Sequence, residues 1–193
     1  ADLDLSSPED VYFTVHVKKD GKLTIPKGTK LTTDMDIQLD EGGQLLLNGT
    51  LKCGRGFVHV MDGSMTVGKD AVLDARYVVV DEEAIANVSG VPNSKIYLTA
   101  MTDSLAQLKS LVSKATKYFC VDTTILEQEI TLQENLTIPK NFFLVIWEGG
   151  LTVPKGITLT NNSEYPVYIQ ENSALTIESG AKLVNNGDLA FYN

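Results

Sequence analysis

LTIPKG, residues 23–28, returns later in the chain as LTIPKN at 136–141 and as LTVPKG at 151–156. In each copy two apolar residues flank a threonine, and a proline and a lysine follow. Apolar residues at i and i+2 are typical of a strand with one buried face, and Pro-Lys-Gly is a turn signal. The phrase therefore predicts a short strand that ends in a turn.

The apolar runs around these phrases repeat with a period of ~21 residues, which is typical of stacked repeats. Each period contains three alternating runs separated by Gly, Asn or Pro-Lys-Gly. The first runs of successive periods begin at Leu23, Leu45 and Met65 in the first half of the chain and at Ile130, Leu151 and Leu175 in the second half. The spacing predicts three short strands per repeat.

These repeats predict an all-β fold, a single-stranded parallel β-helix with three short strands per ~21-residue coil. We expect the coils to be right-handed, because right-handed crossovers are the default for parallel strands. An antiparallel sandwich is the alternative, since pairs such as Asn48-Gly49 resemble hairpin turns. Hairpins do not require a fixed long period, so the β-helix is the better interpretation.

One amphipathic helix is predicted over residues 104–117, between the two sets of repeats. Leu108 and Leu111 lie on its apolar face, and Ser104 with Gln107 fits a capping box. An open end of a coil stack exposes about six inward side chains, at a cost of ~10 kcal/mol. We therefore expect this helix to cap a stack.

The helix position predicts two tandem units. The N-terminal unit is expected over residues 1–100, with coils over 22–83 and a linker over 84–100. The helix-capped unit is expected over 101–193, with coils over 129–193. A single solenoid with a helical excursion is the alternative.

The composition excludes several classes of function. With 16 Lys and Arg against 25 Asp and Glu, the net charge is −9, which disfavours binding to a nucleic-acid backbone. No apolar window approaches the ~18 residues of a membrane span, and residues 1–20 do not have the pattern of a signal peptide. Cys53 and Cys120 form neither a disulfide scaffold nor a metal knuckle. We expect neither nucleic acid nor membrane insertion.

The second half of the chain carries a resemblance to a known class of repeat. A helix followed by DTTILEQEITLQENLTIPKN (122–141) and GLTVPKGITLTNN (150–162) resembles the helix-plus-β-helix repeats of large bacterial cell-surface proteins, which are often adhesin-like. The resemblance extends over 104–193 and more weakly over 22–81, where Leu46 replaces the usual threonine. It implies an extracellular, cell-surface location and neighbouring domains in a longer chain. It also implies a role in display, adhesion or contact with glycans or a host or cell-surface protein.

An acidic run, TTDMDIQLDEGG at 32–43, supplies the candidate metal ligands Asp34, Asp36, Asp40 and Glu41. Calcium binds several carboxylate oxygens, and stacked coils would bring the acidic turns of neighbouring repeats close together. The alternative is a solvated turn that keeps a sheet edge soluble. No other cofactor is expected.

Candidate ligand-binding residues are Trp147, Glu148, Tyr165 and Tyr168, because aromatic rings beside carboxylates can stack on sugars and accept their hydroxyl hydrogen bonds. The alternative is a strip covered by the helix or a neighbouring domain. The sequence thus predicts a non-enzymatic β-solenoid module that serves as spacer and adhesion or glycan-contact surface. A polysaccharide-active, pectin-lyase-like β-helix enzyme is the second hypothesis. It would require convergent carboxylates and a base, and we predict no catalytic residue.

Overall fold

The computed structural model describes residues 3–5, 14–126 and 128–192, and these residues are mostly β. Every strand pair whose register is described is parallel, as in Val15 beside Ile37 and Ile37 beside Val58. By its internal contacts the chain divides into two compact units, Ala1–Tyr97 and Leu98–Asn193. Among the described residues, no helix has the length and hydrophobicity of a membrane span.

The strands of the first unit are short, two to four residues each. In chain order they are β1 (Leu3–Leu5), β2 (Thr14–Val17), β3 (Lys22–Ile25), β4 (Lys30–Thr33), β5 (Asp36–Leu39), β6 (Gln44–Leu47), β7 (Thr50–Cys53), β8 (Val58–Val60), β9 (Ser64–Val67), β10 (Val72–Asp74), β11 (Val78–Asp81) and β12 (Val88–Ser89). Two 3-10 helices, Glu82–Asn87 and Asn93–Lys95, flank β12.

A longer strand, β13 (Ile96–Thr102), contains the boundary between the units, and the helix α1 (Leu105–Lys114) follows it. The strands of the second unit then follow. They are β14 (Cys120–Leu126), β15 (Glu129–Thr131), β16 (Leu136–Ile138), β17 (Phe142–Trp147), β18 (Gly150–Val153), β19 (Thr158–Asn161), β20 (Val167–Ile169), β21 (Ala174–Ile177), β22 (Lys182–Asn185) and β23 (Leu189–Phe191).

Within each unit, every strand except β13 pairs with the third strand along the chain. The first unit has the strand orders β1-β4-β7-β10, β2-β5-β8-β11 and β3-β6-β9-β12, and the second has β14-β17-β20-β23, β15-β18-β21 and β16-β19-β22. Apart from β13 and β14, consecutive strands therefore belong to different sheets, and each sheet gains one parallel strand per sequence repeat.

Alternation along each strand builds the core of both units. In β6, Leu45 and Leu47 are buried while Leu46 between them is partly exposed. The copy of the phrase in β18 behaves in the same way, with Leu151 and Val153 buried on either side of Thr152. Side chains of a strand alternate between its two faces, so the predicted period of two is what places these residues inside.

The turn after the repeated phrase shows why one copy departs from the others. Gly28 and Gly156 end LTIPKG and LTVPKG with φ angles of 77° and 83°, which favour glycine. Asn141 takes this place in the third copy, and its side-chain amide donates hydrogen bonds to the carbonyls of Ala115 and, at 2.8 Å, Tyr118. Asn141 therefore binds the segment that follows α1.

The helix begins where the sequence predicts and ends earlier. Ser104 is its N-cap and accepts a hydrogen bond from the Gln107 backbone at 3.3 Å, which confirms the predicted start. The helix ends at Lys114, three residues before the predicted end at 117, and Asn141 binds the carbonyl of the C-cap residue Ala115.

Leu108, Leu111 and Ala115 are buried on α1, which packs against β14 and β16. Since β16 is the first strand of its sheet, the helix covers that end of this sheet.

The region predicted as a linker, 84–100, contains the end of the first 3-10 helix, β12, the second 3-10 helix and most of β13. Lys95 in this region donates hydrogen bonds from Nζ to the carbonyls of Ala75 at 2.7 Å and Leu73 at 3.3 Å. Since β10 is the last strand of its sheet, Lys95 satisfies carbonyls that would otherwise form an open edge.

The last repeat of the second unit has inward positions that nothing in the described chain covers. Ile177 pairs with the buried Val153 but is 37% exposed, and Phe191 pairs with the buried Ile169 but is 69% exposed. The strand edge at β21, β22 and β23 is therefore apolar as well as unpaired within this unit.

Candidate functional site

Four aromatic side chains of the second unit form a contiguous set, Phe143, Tyr165, Tyr168 and Tyr192, here called the aromatic group. The Phe143 ring centroid lies 5.8 Å from that of Tyr165 and 5.2 Å from that of Tyr168. The Tyr168 and Tyr192 centroids are 5.1 Å apart. Two of the four predicted ligand-binding residues, Tyr165 and Tyr168, thus lie in one group.

The strand pattern directs these rings outward. Phe142 and Leu144 of β17 are buried, so Phe143 between them lies on the outer face, and Tyr168 lies outward between Val167 and Ile169. Phe143 and Tyr168 meet edge to face with an interplanar angle of 80°, a geometry that aromatic quadrupoles favour.

Tyr192 is the most exposed member of the aromatic group, with half of its surface accessible. A hydrogen bond with Tyr168 raises the pKa of the Tyr192 phenol above its ordinary value. The Tyr192 phenol is therefore neutral at physiological pH and can donate and accept hydrogen bonds.

Trp147 and Glu148 lie at the other end of β17. Trp147 is four residues from Phe143 along the strand, or about 13 Å, and is about half exposed. Glu148 follows it in the left-handed region, with φ 54°. The structure thus separates the four predicted residues into Tyr165 and Tyr168 within the aromatic group and Trp147 and Glu148 at the strand end.

Two of the predicted calcium ligands bind backbone of the following repeat. Asp34 Oδ1 accepts a hydrogen bond from Arg55 N at 3.2 Å, and Asp36 Oδ1 accepts one from Phe57 N at 3.1 Å. A Cβ atom at Gly54 would lie 2.0 Å from Asp34 Oδ1, so the close approach requires glycine there. These carboxylates link one repeat to the next.

The other two candidate ligands face basic side chains of the preceding repeat. Asp40 Oδ2 lies 3.1 Å from His16 Nδ1, and Glu41 Oε1 lies 3.3 Å from Lys18 Nζ. The second Asp40 oxygen is buried without a hydrogen-bond partner, and the described part of the chain contains no group of three or more metal-ligating side chains. Calcium binding stays a prediction.

A second aromatic set in the first unit was missed at the sequence level. Phe57 and Tyr77 lie with centroids 6.5 Å apart, Tyr77 and Tyr97 with centroids 5.3 Å apart, and the Arg76 guanidinium lies 5.9 Å from the Tyr77 ring. The three rings recur every 20 residues in the sequence. This spacing is the signal that could have revealed them.

Asparagines pair across repeats in the second unit. Asn161 donates from Nδ2 to Asn185 Oδ1 at 2.9 Å, and Asn186 donates from Nδ2 to Asn162 Oδ1 at 2.8 Å. Asn161 is fully buried, and its own Oδ1 accepts from Ser163 N at 3.0 Å. Such ladders stabilise stacked parallel strands because each amide satisfies its neighbour.

A polar concavity, here called the asparagine cleft, lies beside these pairs and has a volume of about 620 Å³. Its lining consists of Lys140, Asn162, Ser163, Glu164, Asn186, Gly187 and Asp188. Tyr165 of the aromatic group follows the lining residue Glu164 directly and donates its backbone N–H to Ser163 Oγ at 2.9 Å.

Neither a protein-family model nor a curated protein matches the chain, and no solved structure matches it. The second unit presents outward-facing aromatic rings and a concave polar surface, and acidic side chains near residues 34–41 in the first unit hold neighbouring repeats together.

Proposed function

We propose that the chain is a right-handed parallel β-helix that acts as a non-enzymatic module on the outside of a bacterial cell, serving as a spacer and as a glycan-contact surface. The pairing of every strand except β13 with the third strand along the chain supports the β-helix, because each three-strand repeat then corresponds to one coil. The right-handed sense follows the general preference of parallel crossovers.

Bonds between repeats support the role of spacer. Beyond the backbone ladders, side chains connect successive repeats, as in Asp34 to Arg55, Asn161 to Asn185 and His59 Nε2 to Asp81 at 2.8 Å. A stack that is bonded at each step can hold its two ends apart, and each repeat contacts only its neighbours.

The aromatic group is the single observation that carries the proposal of glycan contact. Its rings are partly exposed and contact one another, with centroids 5.1 to 5.8 Å apart. Sugar rings present C–H faces that pack on aromatic rings, and phenol hydroxyls can bond the sugar hydroxyls at the edge.

The extracellular location rests on the resemblance of residues 104–193 to repeats of bacterial cell-surface proteins. Such a module is expected to have neighbouring domains in a longer chain and to contact either glycans or a protein on a host or cell surface. A glycan is the partner that the aromatic group favours, because its phenols and exposed ring edges suit a hydroxyl-rich ligand.

A glycan array probed with the complete 193-residue chain, combined with a product assay on each bound polysaccharide, tests the proposal. We expect saturable binding without cleavage, and Tyr192→Ala is expected to weaken it about three- to tenfold, the loss of one aromatic contact. Phe191→Ala is the matched control, because Phe191 is an adjacent exposed aromatic outside the group. Release of products from any polysaccharide would favour the enzyme hypothesis instead. If Tyr192→Ala binds glycans as tightly as the wild type, the aromatic group is not the glycan-contact surface.

A further inference from the structure

The asparagine cleft is an open polar concavity with the volume of a small-ligand site. Its volume of about 620 Å³ is within the range of about 300–1,000 Å³ that ligand pockets occupy. Its lining is polar, and Tyr165 of the aromatic group directly follows the lining residue Glu164 in the chain. An aromatic ring together with convergent hydrogen-bonding groups suits a sugar ring, because sugar rings are apolar on their faces and polar at their edges.

The cleft offers both donors and acceptors. Asn162 and Asn186 are exposed, and the bond between them uses Asn186 Nδ2 and Asn162 Oδ1. Within the described residues, Asn162 Nδ2 and Asn186 Oδ1 therefore keep their capacity for a ligand. Asp188 adds a carboxylate, which accepts hydrogen bonds from hydroxyl groups.

Buried bonds hold these groups in place. The Ser163 hydroxyl is buried, donates to the Phe142 carbonyl at 2.5 Å and accepts from Tyr165 N. Asn161, directly before Asn162, is fixed by its bond to Asn185. The polar rim and the aromatic ring are thus supported from beneath, so a ligand would not need to order them on binding.

Charge selects among sugars. Lys140 Nζ lies 2.8 Å from Glu164 Oε1, so these two charges compensate each other. Asp188 leaves the cleft with one net negative charge, within a chain whose net charge is −9. A uronic acid or a sialic acid would be repelled, whereas a neutral sugar would not.

We propose that the asparagine cleft binds a neutral hexose-based oligosaccharide, with a sugar ring against Tyr165 and sugar hydroxyls bonded by Asn162, Asn186 and Asp188. This inference rests on the proposed glycan-contact function and names its site and ligand class. The acidic polysaccharides on which lyases act are the class that the cleft rejects.

Titration of the isotope-labelled chain with maltohexaose, cellohexaose, mannohexaose and hexagalacturonate, followed by amide chemical shifts, tests the proposal. We expect at least one neutral hexasaccharide to shift amides of residues 162–165 and 186–188 with millimolar or tighter affinity, and hexagalacturonate to bind at least about tenfold more weakly. Asn162→Ala and Asp188→Ala should each weaken binding about tenfold, corresponding to one or two lost hydrogen bonds.

Asn48→Ala is the matched control, because Asn48 lies at the turn after β6 in the first unit and outside the cleft. The two exposed cleft variants should keep the wild-type amide spectrum elsewhere, which separates loss of binding from loss of folding. Tighter binding of hexagalacturonate, or binding unaffected by both cleft variants, would overturn the ligand class or the site. Shifts confined to 57–97 or to Trp147 would overturn the cleft while leaving glycan contact in place. Absence of binding to every glycan here and on the array would overturn both proposals.

Discussion

Replacement of Asn141 should destabilise the second unit, because the Asn141 side chain donates two hydrogen bonds to the segment after α1. In Asn141→Ala the carbonyls of Ala115 and Tyr118 lose their side-chain donor. Each such hydrogen bond contributes about 0.5–1.5 kcal/mol net, so the free energy of unfolding should fall by about 2 kcal/mol. For a unit of this size that corresponds to a melting temperature lower by about 10 °C.

Urea denaturation followed by tryptophan fluorescence measures the effect, because Trp147 is the single tryptophan and lies in the same unit. Asn141→Asp has nearly the same shape but cannot donate, so it should lose at least as much stability. Lys140→Ala is the control, since its ion pair with Glu164 is exposed and should change stability by less than about 1 kcal/mol. If Asn141→Gly, which restores the LTIPKG phrase, is as stable as the wild type, the anchoring role of Asn141 is wrong.

Two further predictions concern glutamates with positive φ angles and the buried thiol of Cys53. Glu41→Gly and Glu148→Gly should each raise the free energy of unfolding by about 1 kcal/mol, because these glutamates have φ angles of 50° and 54° that L-residues rarely adopt. Glu171 lies in the corresponding turn but does not have a positive φ, so Glu171→Gly should lower the free energy of unfolding. Chemical denaturation measures all three variants, and a change of the opposite sign in any of them would contradict the prediction. Burial, followed by the charges of nearby aspartates, raises the pKa of the Cys53 thiol to about 11. Because the thiol ionises at lower pH in the unfolded chain, the free energy of unfolding should fall by about 2–3 kcal/mol as the pH rises from about 9 to about 11. In Cys53→Ala the free energy of unfolding should depend less on pH over this range, and an equal dependence would contradict the prediction.

The parallel pairing follows from patterns that are local in the sequence. Alternation buries Val58 and Val60 in β8 and leaves His59 between them partly exposed, and the ~21-residue period then makes Ile37 the neighbour of Val58. These relations need only the two-residue repeat of a strand and a constant repeat length. A sequence therefore predicts them without knowledge of the side-chain packing.

Other features depend on what meets across repeats. Asn-Asn is a turn signal in the sequence, yet β19 continues through Asn161, whose side chain binds Asn185 of the next repeat. The aromatic group likewise depends on the direction of the chain before β20, which brings Tyr165 against Phe143. Periodicity does not determine the path of such a turn, and the predicted residue set therefore included Trp147 but omitted Phe143.

The uncovered last repeat of the second unit has a consequence for protein engineering. Parallel strands at β21, β22 and β23 form a template on which a synthetic repeat copied from residues 151–174 would find matching hydrogen-bond partners at ~4.8 Å. Such an addition would bury Ile177 and Phe191 and would contribute about 2 kcal/mol for each side chain. Growth from this surface would let a designer choose the length of the array one repeat at a time, with the same surface creating a risk of fibrous self-assembly at high concentration.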